Sequence, residues 1–116
     1  MIAHVVLFEP KSSVSTTERQ RFLSEIRSVA RSIPAIVQAR IGRTISFGVM
    51  PENNIGHKTY QYAAIFEFAT REDLAAYFEH PVHDKLRSVF WDLCQATLMA
   101  DVELFSPASG DADGLV

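Results

Sequence analysis

Ile2-Ala3-His4-Val5-Val6-Leu7-Phe8-Glu9-Pro10 opens the chain as a β-strand, dense in branched and aromatic residues and stopped by a proline that cannot donate to a ladder. His4, Val6 and Phe8 point to one side and Ala3, Val5 and Leu7 to the other. Neither side is polar. A half-exposed antiparallel strand alternates apolar with polar residues, so a strand apolar on both sides belongs to a sheet that is covered on both faces.

The elements that follow supply one of those covers. Ser15 and Glu18 have capping-box spacing, and Phe22, Ile26, Val29 and Ile33 then recur along one helical face until Pro34. Residues 36 to 47 alternate, with Val37, Ala39, Ile41, Ile45 and Phe47 on one side, which predicts a second strand. Gly48 to Lys58 reads as a loop long enough to act as a lid, with His57 expected in solvent. Residues 59 to 68 form a third strand with Tyr60, Tyr62, Ala64, Phe66 and Phe68 on its heavy face. Thr70 caps a short helix from Arg71 to about Glu79, and Pro81 starts a second helical piece with the stripe Val82, Leu86, Val89, Phe90 and Leu93. A last strand spans residues 95 to 105.

Strand, helix, strand, strand, helix, strand is the ferredoxin-like split βαβ order of an α+β domain: a four-stranded antiparallel sheet with the helices on one face. The helices leave the opposite face bare, and a second copy of the chain is the economical cover. The expectation is a homodimer. Residues 107 to 116, rich in Gly, Ser, Ala and Asp, show no periodicity and are expected to form a flexible C-terminal tail outside a single domain at residues 1–106.

The stretch Tyr77-Phe78-Glu79-His80-Pro81-Val82-His83 gathers two imidazoles and a phenol around a proline at a helix mouth. With His4-Val5-Val6-Leu7-Phe8 and Ile33-Pro34, it resembles the stress-responsive A/B barrel (Dabb) domain family over roughly residues 1 to 105, through a His-x-x-x-Phe strand and a Tyr-x-x-His-Pro-x-His segment. The resemblance implies a dimeric α+β barrel. A plant polyketide cyclase similar over this region implies Tyr77 and His83 as a catalytic pair, with His4 as the matching pocket histidine.

Composition narrows the classes of function. The chain has 116 residues, 47% hydrophobic and 22% charged, with a formal net charge of -3. That fits one globular domain and disfavours nucleic acid as a partner. The apolar run Val5 to Phe8 is too short for a signal-peptide core, and nothing approaches the roughly 20 apolar residues of a membrane span. Cys94 is the single cysteine and cannot form an internal disulfide, so a cytoplasmic location is expected, with Cys94 as a buried small residue rather than a nucleophile. No metal or nucleotide motif is present, because Pro81 disrupts the turn between His80 and His83 and no Cys or carboxylate pair completes a ligand set. No cofactor is expected.

These residues predict a cavity lined by Val6, Phe66, His80, Leu86, Phe90 and Trp91, with His4, Tyr77 and His83 as its polar set. An imidazole with an ordinary pKa of about 6.5 can take a proton near neutrality, and a phenol can hold a carbonyl or its enolate. One expectation is therefore a cofactor-free lyase, cyclase or isomerase, with His83 as base, Tyr77 as polariser and His4 assisting. The alternative is a non-catalytic dimer that binds a small apolar or aromatic ligand, or one whose cavity is filled by side chains.

Overall fold

The computed structural model describes residues 1–45 and 60–116, so the loop Gly48 to Lys58 with His57 lies outside the described residues. Its elements are β1 (Ile2–Pro10), α1 (Thr16–Ser32), β2 (Ile36–Arg43), β3 (Tyr62–Phe68), α2 (Arg71–Glu79), α3 (Pro81–Leu93) and β4 (Cys94–Glu103), followed by a 3-10 helix at Gly110–Leu115. The sheet is antiparallel in the order β2-β3-β1-β4, the ferredoxin-like split βαβ arrangement with the helices on one face.

Each helix starts where its local chemistry can satisfy exposed backbone N–H groups. Ser15 Oγ accepts from the Glu18 amide at 3.1 Å, and the Glu18 carboxylate accepts from the Ser15 amide at 3.1 Å. The same bonds hold the Glu18 carboxyl below its ordinary pKa. Thr70 caps α2 through the Asp73 amide. His80 ends α2 and caps α3, its Nδ1 accepting from the Val82 amide at 3.1 Å, while Pro81 occupies the first turn. The bend between α2 and α3 is thus written in three consecutive residues.

On the helix side of the sheet, Ile2, Val6 and Phe8 of β1 and Ala64, Phe66 and Phe68 of β3 are buried against Phe22, Ile26 and Val29 of α1 and Leu86, Val89 and Leu93 of α3. Phe8 is the hinge of this core, its ring centroid 5.0 Å from Phe22, 4.7 Å from Phe90 and 5.4 Å from Tyr62. A bulge between Ile36 and Gln38 takes Val37 out of the expected alternation and leaves it exposed. Ala39 and Ile41 then face the helices, opposite Phe66 and Ala64.

The expected barrel is not formed. β2 and β4 lie at opposite edges of an open sheet, with no ladder between them among the described residues. Four strands are too few to curl round a filled interior, since about eight are needed to leave room for side chains. The face away from the helices carries Val5, Leu7 and Ile65 partly covered and Leu98 and Val102 exposed. Phe8→Ala is expected to cost roughly 3–5 kcal/mol, because it removes an aromatic ring touching both α1 and α3. Urea unfolding measures this, and a loss below about 1 kcal/mol would show that the ring cluster does not join the two helices to the sheet.

Candidate functional site

A cleft of about 690 Å³ opens between α3, α2 and the β1/β4 side of the sheet. Its walls include Val6, Phe66, Leu86, Phe90, Trp91 and Met99, and its lining also includes His4, Tyr77, His83 and Arg87. Three elements meet here: His4 comes from β1, Tyr77 from α2 and His83 from α3, with more than seventy positions between His4 and the other two. Trp91 is 85% exposed and stands at the rim. His80, expected in the lining, is not part of it, because its ring serves the helix cap.

His4, Tyr77 and His83 are 2%, 1% and 8% exposed. The Tyr77 ring lies between the imidazoles, 5.6 Å from His4 and 4.7 Å from His83, the latter edge-on. Phe78 closes the group from the side, edge-on to His4 at 5.1 Å and to His83 at 5.5 Å. This is an aromatic box around two ionisable rings.

Each imidazole has one nitrogen tied to a neighbour. His4 lies directly opposite Asp101 in the β1/β4 register, and its Nδ1 is 2.5 Å from the Asp101 carboxylate. His83 Nδ1 is 3.3 Å from Arg87 Nη2, one helical turn along α3. Neither Nε2, nor the Tyr77 hydroxyl, has a hydrogen-bond partner among the described residues, yet no side-chain polar atom there is both sealed off and unsatisfied. All three side chains line the cleft.

Burial sets the charge states. It pushes the Tyr77 phenol well above its ordinary value, with the Asp101 charge adding to the effect, so the hydroxyl keeps its proton. His83 is held below the ordinary imidazole value by burial first, then by the Arg87 guanidinium and His4, with Asp84 opposing. It is neutral near pH 7. Cys94 also lines the cleft, but burial, with Glu9 adding, raises its thiol to about 11, which removes the thiolate a nucleophile needs.

A wider groove of about 800 Å³ lies between α1 and β2, lined by Val14, Arg19, Ile41, Arg43 and Tyr62 among others. Its Arg19 already donates to Gln61 Oε1 at 3.1 Å and to the Tyr62 hydroxyl at 3.0 Å, so the α3/β4 cleft is the candidate site. Among the described residues no group of His, Cys, Asp or Glu is placed to hold a metal, and no helix is long and apolar enough to cross a membrane.

Asp101, Arg87 and Arg19 are absent from the residues that the sequence singles out. The sequence signal for Asp101 is a carboxylate that interrupts the apolar run Leu98 to Val102 of the final strand, but its match with His4 needs the register. Arg87 could have been found as the i+4 neighbour of His83.

Because the unfolded chain protonates its imidazole near pH 6.5 and buried His83 resists until lower pH, the unfolded state holds more protons between the two values. His83 therefore contributes a loss of stability as pH falls through that window. Urea midpoints at about pH 7.5 and about pH 5.5 are expected to differ more for the natural chain than for His83→Gln. An equal drop in both would show that His83 is not the buried neutral ring.

The comparisons bear on fold and family. A family model described as Stress Responsive A/B Barrel Domain matches residues 2–104. No curated protein matches the chain. Among solved structures, the Arabidopsis thaliana protein At3g17210 superposes with a TM-score of 0.80 at 20% identity, covering 94% of this chain and 100% of that one. A dimeric ferredoxin-like protein of unknown function from Thermobifida fusca gives 0.72 at 16% identity, covering 89% and 90%. A hydroxynitrile lyase from Passiflora edulis gives 0.74 at 14% identity, covering 90% and 96%. At such identities the likenesses carry the fold, and the family model carries the kinship: this chain belongs to the stress-responsive A/B barrel domain (Dabb) family.

Proposed function

We propose that the protein is a homodimer that binds a small, largely apolar or aromatic molecule in the α3/β4 cleft. The observation that carries this reading is an apolar hollow lined by three buried polar side chains, whose His4 Nε2, His83 Nε2 and Tyr77 hydroxyl have no hydrogen-bond partner among the described residues, the pattern of sites that hold a ligand's body by contact and its polar end by hydrogen bonds. The body would rest against Val6, Phe66 and Phe90, and the polar end would meet His4, Tyr77 and His83. A cytoplasmic location would keep the half-buried Cys94 thiol reduced.

The second copy is supported by the bare sheet face. Leu98 is 53% exposed directly opposite Leu7, and Val102 is also exposed on that side. The Thermobifida fusca relative is a dimer. Burying these residues against a like surface would remove the apolar area that the helices leave uncovered.

A second reading, acid–base catalysis on a carbonyl compound, is favoured by one observation: a neutral imidazole, His83, stands edge-on to a phenol that keeps its proton. The Passiflora edulis relative is a lyase.

Trp91, the single tryptophan, stands at the cleft rim and reports occupancy by fluorescence. Aromatic aldehydes and ketones are expected to quench it saturably. Thr97→Phe, on the helix side of β4 opposite Phe8 and in the lining, should weaken that binding at least about tenfold, or ~1.4 kcal/mol. Unchanged affinity would place the ligand elsewhere. In sedimentation, the natural chain is expected as a dimer at micromolar concentration and Leu98→Arg as a monomer; a monomeric natural chain would remove the dimer.

A further inference from the structure

The two imidazoles of the cleft are held by groups of opposite hydrogen-bonding character. Asp101 presents a carboxylate to His4 Nδ1, and an ionised carboxylate can only accept. Arg87 presents a guanidinium to His83 Nδ1, and a guanidinium can only donate, because it carries no acceptor and stays protonated. In a neutral imidazole one nitrogen carries the proton and the other the lone pair, so the partner of Nδ1 dictates what Nε2 offers.

We propose that Arg87 is a positioning residue that holds His83 as the Nε2–H tautomer, so that His83 donates into the cleft while His4, oriented by Asp101, accepts there. The roles implied by the sequence motif are thereby exchanged: the lone pair facing the ligand belongs to His4, and His83 stands beside Tyr77 as a second donor. The inference deepens the ligand-binding reading above and rests on it for its ligand, though not for its tautomers.

Chemical class follows from the pattern. One acceptor and two donors at the end of an apolar cleft match a molecule with an acidic proton next to a carbonyl. That proton points at His4 Nε2, and the carbonyl oxygen accepts from the Tyr77 hydroxyl and His83 Nε2–H. Among the described residues Arg87 is the only one of the lining with a permanent charge, and its positive sign favours negative charge building on that oxygen. Were the proton to move, it would pass from carbon to His4 Nε2. The C–H electron pair would become the C=C bond of an enolate, and the former carbonyl π pair would come to rest on the oxygen between the two donors.

Arg87 is suited to this office by place as well as by chemistry. It sits one turn after His83 on the same helix, and its other end is 3.4 Å from Asp84, which steadies the guanidinium at the rim. The groups facing His83 are Arg87 and Asp84 on its own helix, His4 on β1, and Tyr77 and Phe78 on α2.

The test reads the ring nitrogens of the unliganded protein. In long-range proton–nitrogen spectra of ¹⁵N-histidine-labelled protein at about pH 9, well above the ordinary imidazole pKa of about 6.5, each neutral ring reports which nitrogen is protonated. His83 is expected protonated at Nε2 and His4 at Nδ1, with assignments from His83→Gln and His4→Gln. Arg87→Lys keeps a donor and should keep the His83 tautomer, whereas Arg87→Glu supplies an acceptor and should move the proton to Nδ1. Both leave His4 unchanged. A natural chain with His83 protonated at Nδ1, or an Arg87→Glu variant with the proton still on Nε2, overturns the proposal. Because no ligand is added, either failure is separate from a failure of the fluorescence titration.

Discussion

Because β1 is hydrogen-bonded along both edges, to β3 on one side and β4 on the other, its register governs almost everything else in the molecule. It sets Phe8 among Phe22, Phe90 and Tyr62, which joins the helices to the sheet. The same register puts His4 opposite Phe66 on one neighbour and Asp101 on the other. A slip of one residue would turn His4 to the bare face and bring Ala3 or Val5 into the core, losing the site and much of the burial together. Stability and site chemistry therefore share one constraint.

The two imidazoles are tolerable in that core because each has one nitrogen within hydrogen-bond distance of a neighbouring side chain. A buried imidazole without a partner would cost on the order of 1–3 kcal/mol, and both imidazoles avoid part of this through Nδ1. The Tyr77 phenol keeps its proton through burial and the Asp101 charge, and His83 stays neutral for want of solvent and beside a guanidinium. The surroundings thus favour a set of hydrogen-bonding groups over a set of charges, which suits a neutral ligand with a polar end. Cys94, in the same lining, is kept as a thiol by the same desolvation.

Much of this was legible from residue chemistry alone. The capping box at Ser15 and Glu18, the Thr70 cap and the break at His80-Pro81 are local events, decided within a few residues. His4, Tyr77 and His83, with Val6, Phe66, Leu86, Phe90 and Trp91, were singled out by motif and face periodicity, but it is tertiary packing that brings them into one lining. His80 misled because a histidine before a proline looks the same whether it caps a helix or lines a cleft; the direction of its ring depends on the turn. Barrel closure misled because strand count and edge pairing are properties of the whole sheet, not of any strand's pattern.

Periodicity, caps and turn residues are short-range, and they were enough to specify the elements, their order and, but for Val37 at the β2 bulge, the apolar sides by which they pack. The meeting of His4 with Asp101, 97 positions apart, was settled by strand register, which no local pattern encodes. So was the openness of the sheet. Side chains distant in sequence become neighbours only once backbone pairing and core packing have chosen a single arrangement, and the hydrogen bonds that give each imidazole its character are formed in that last step.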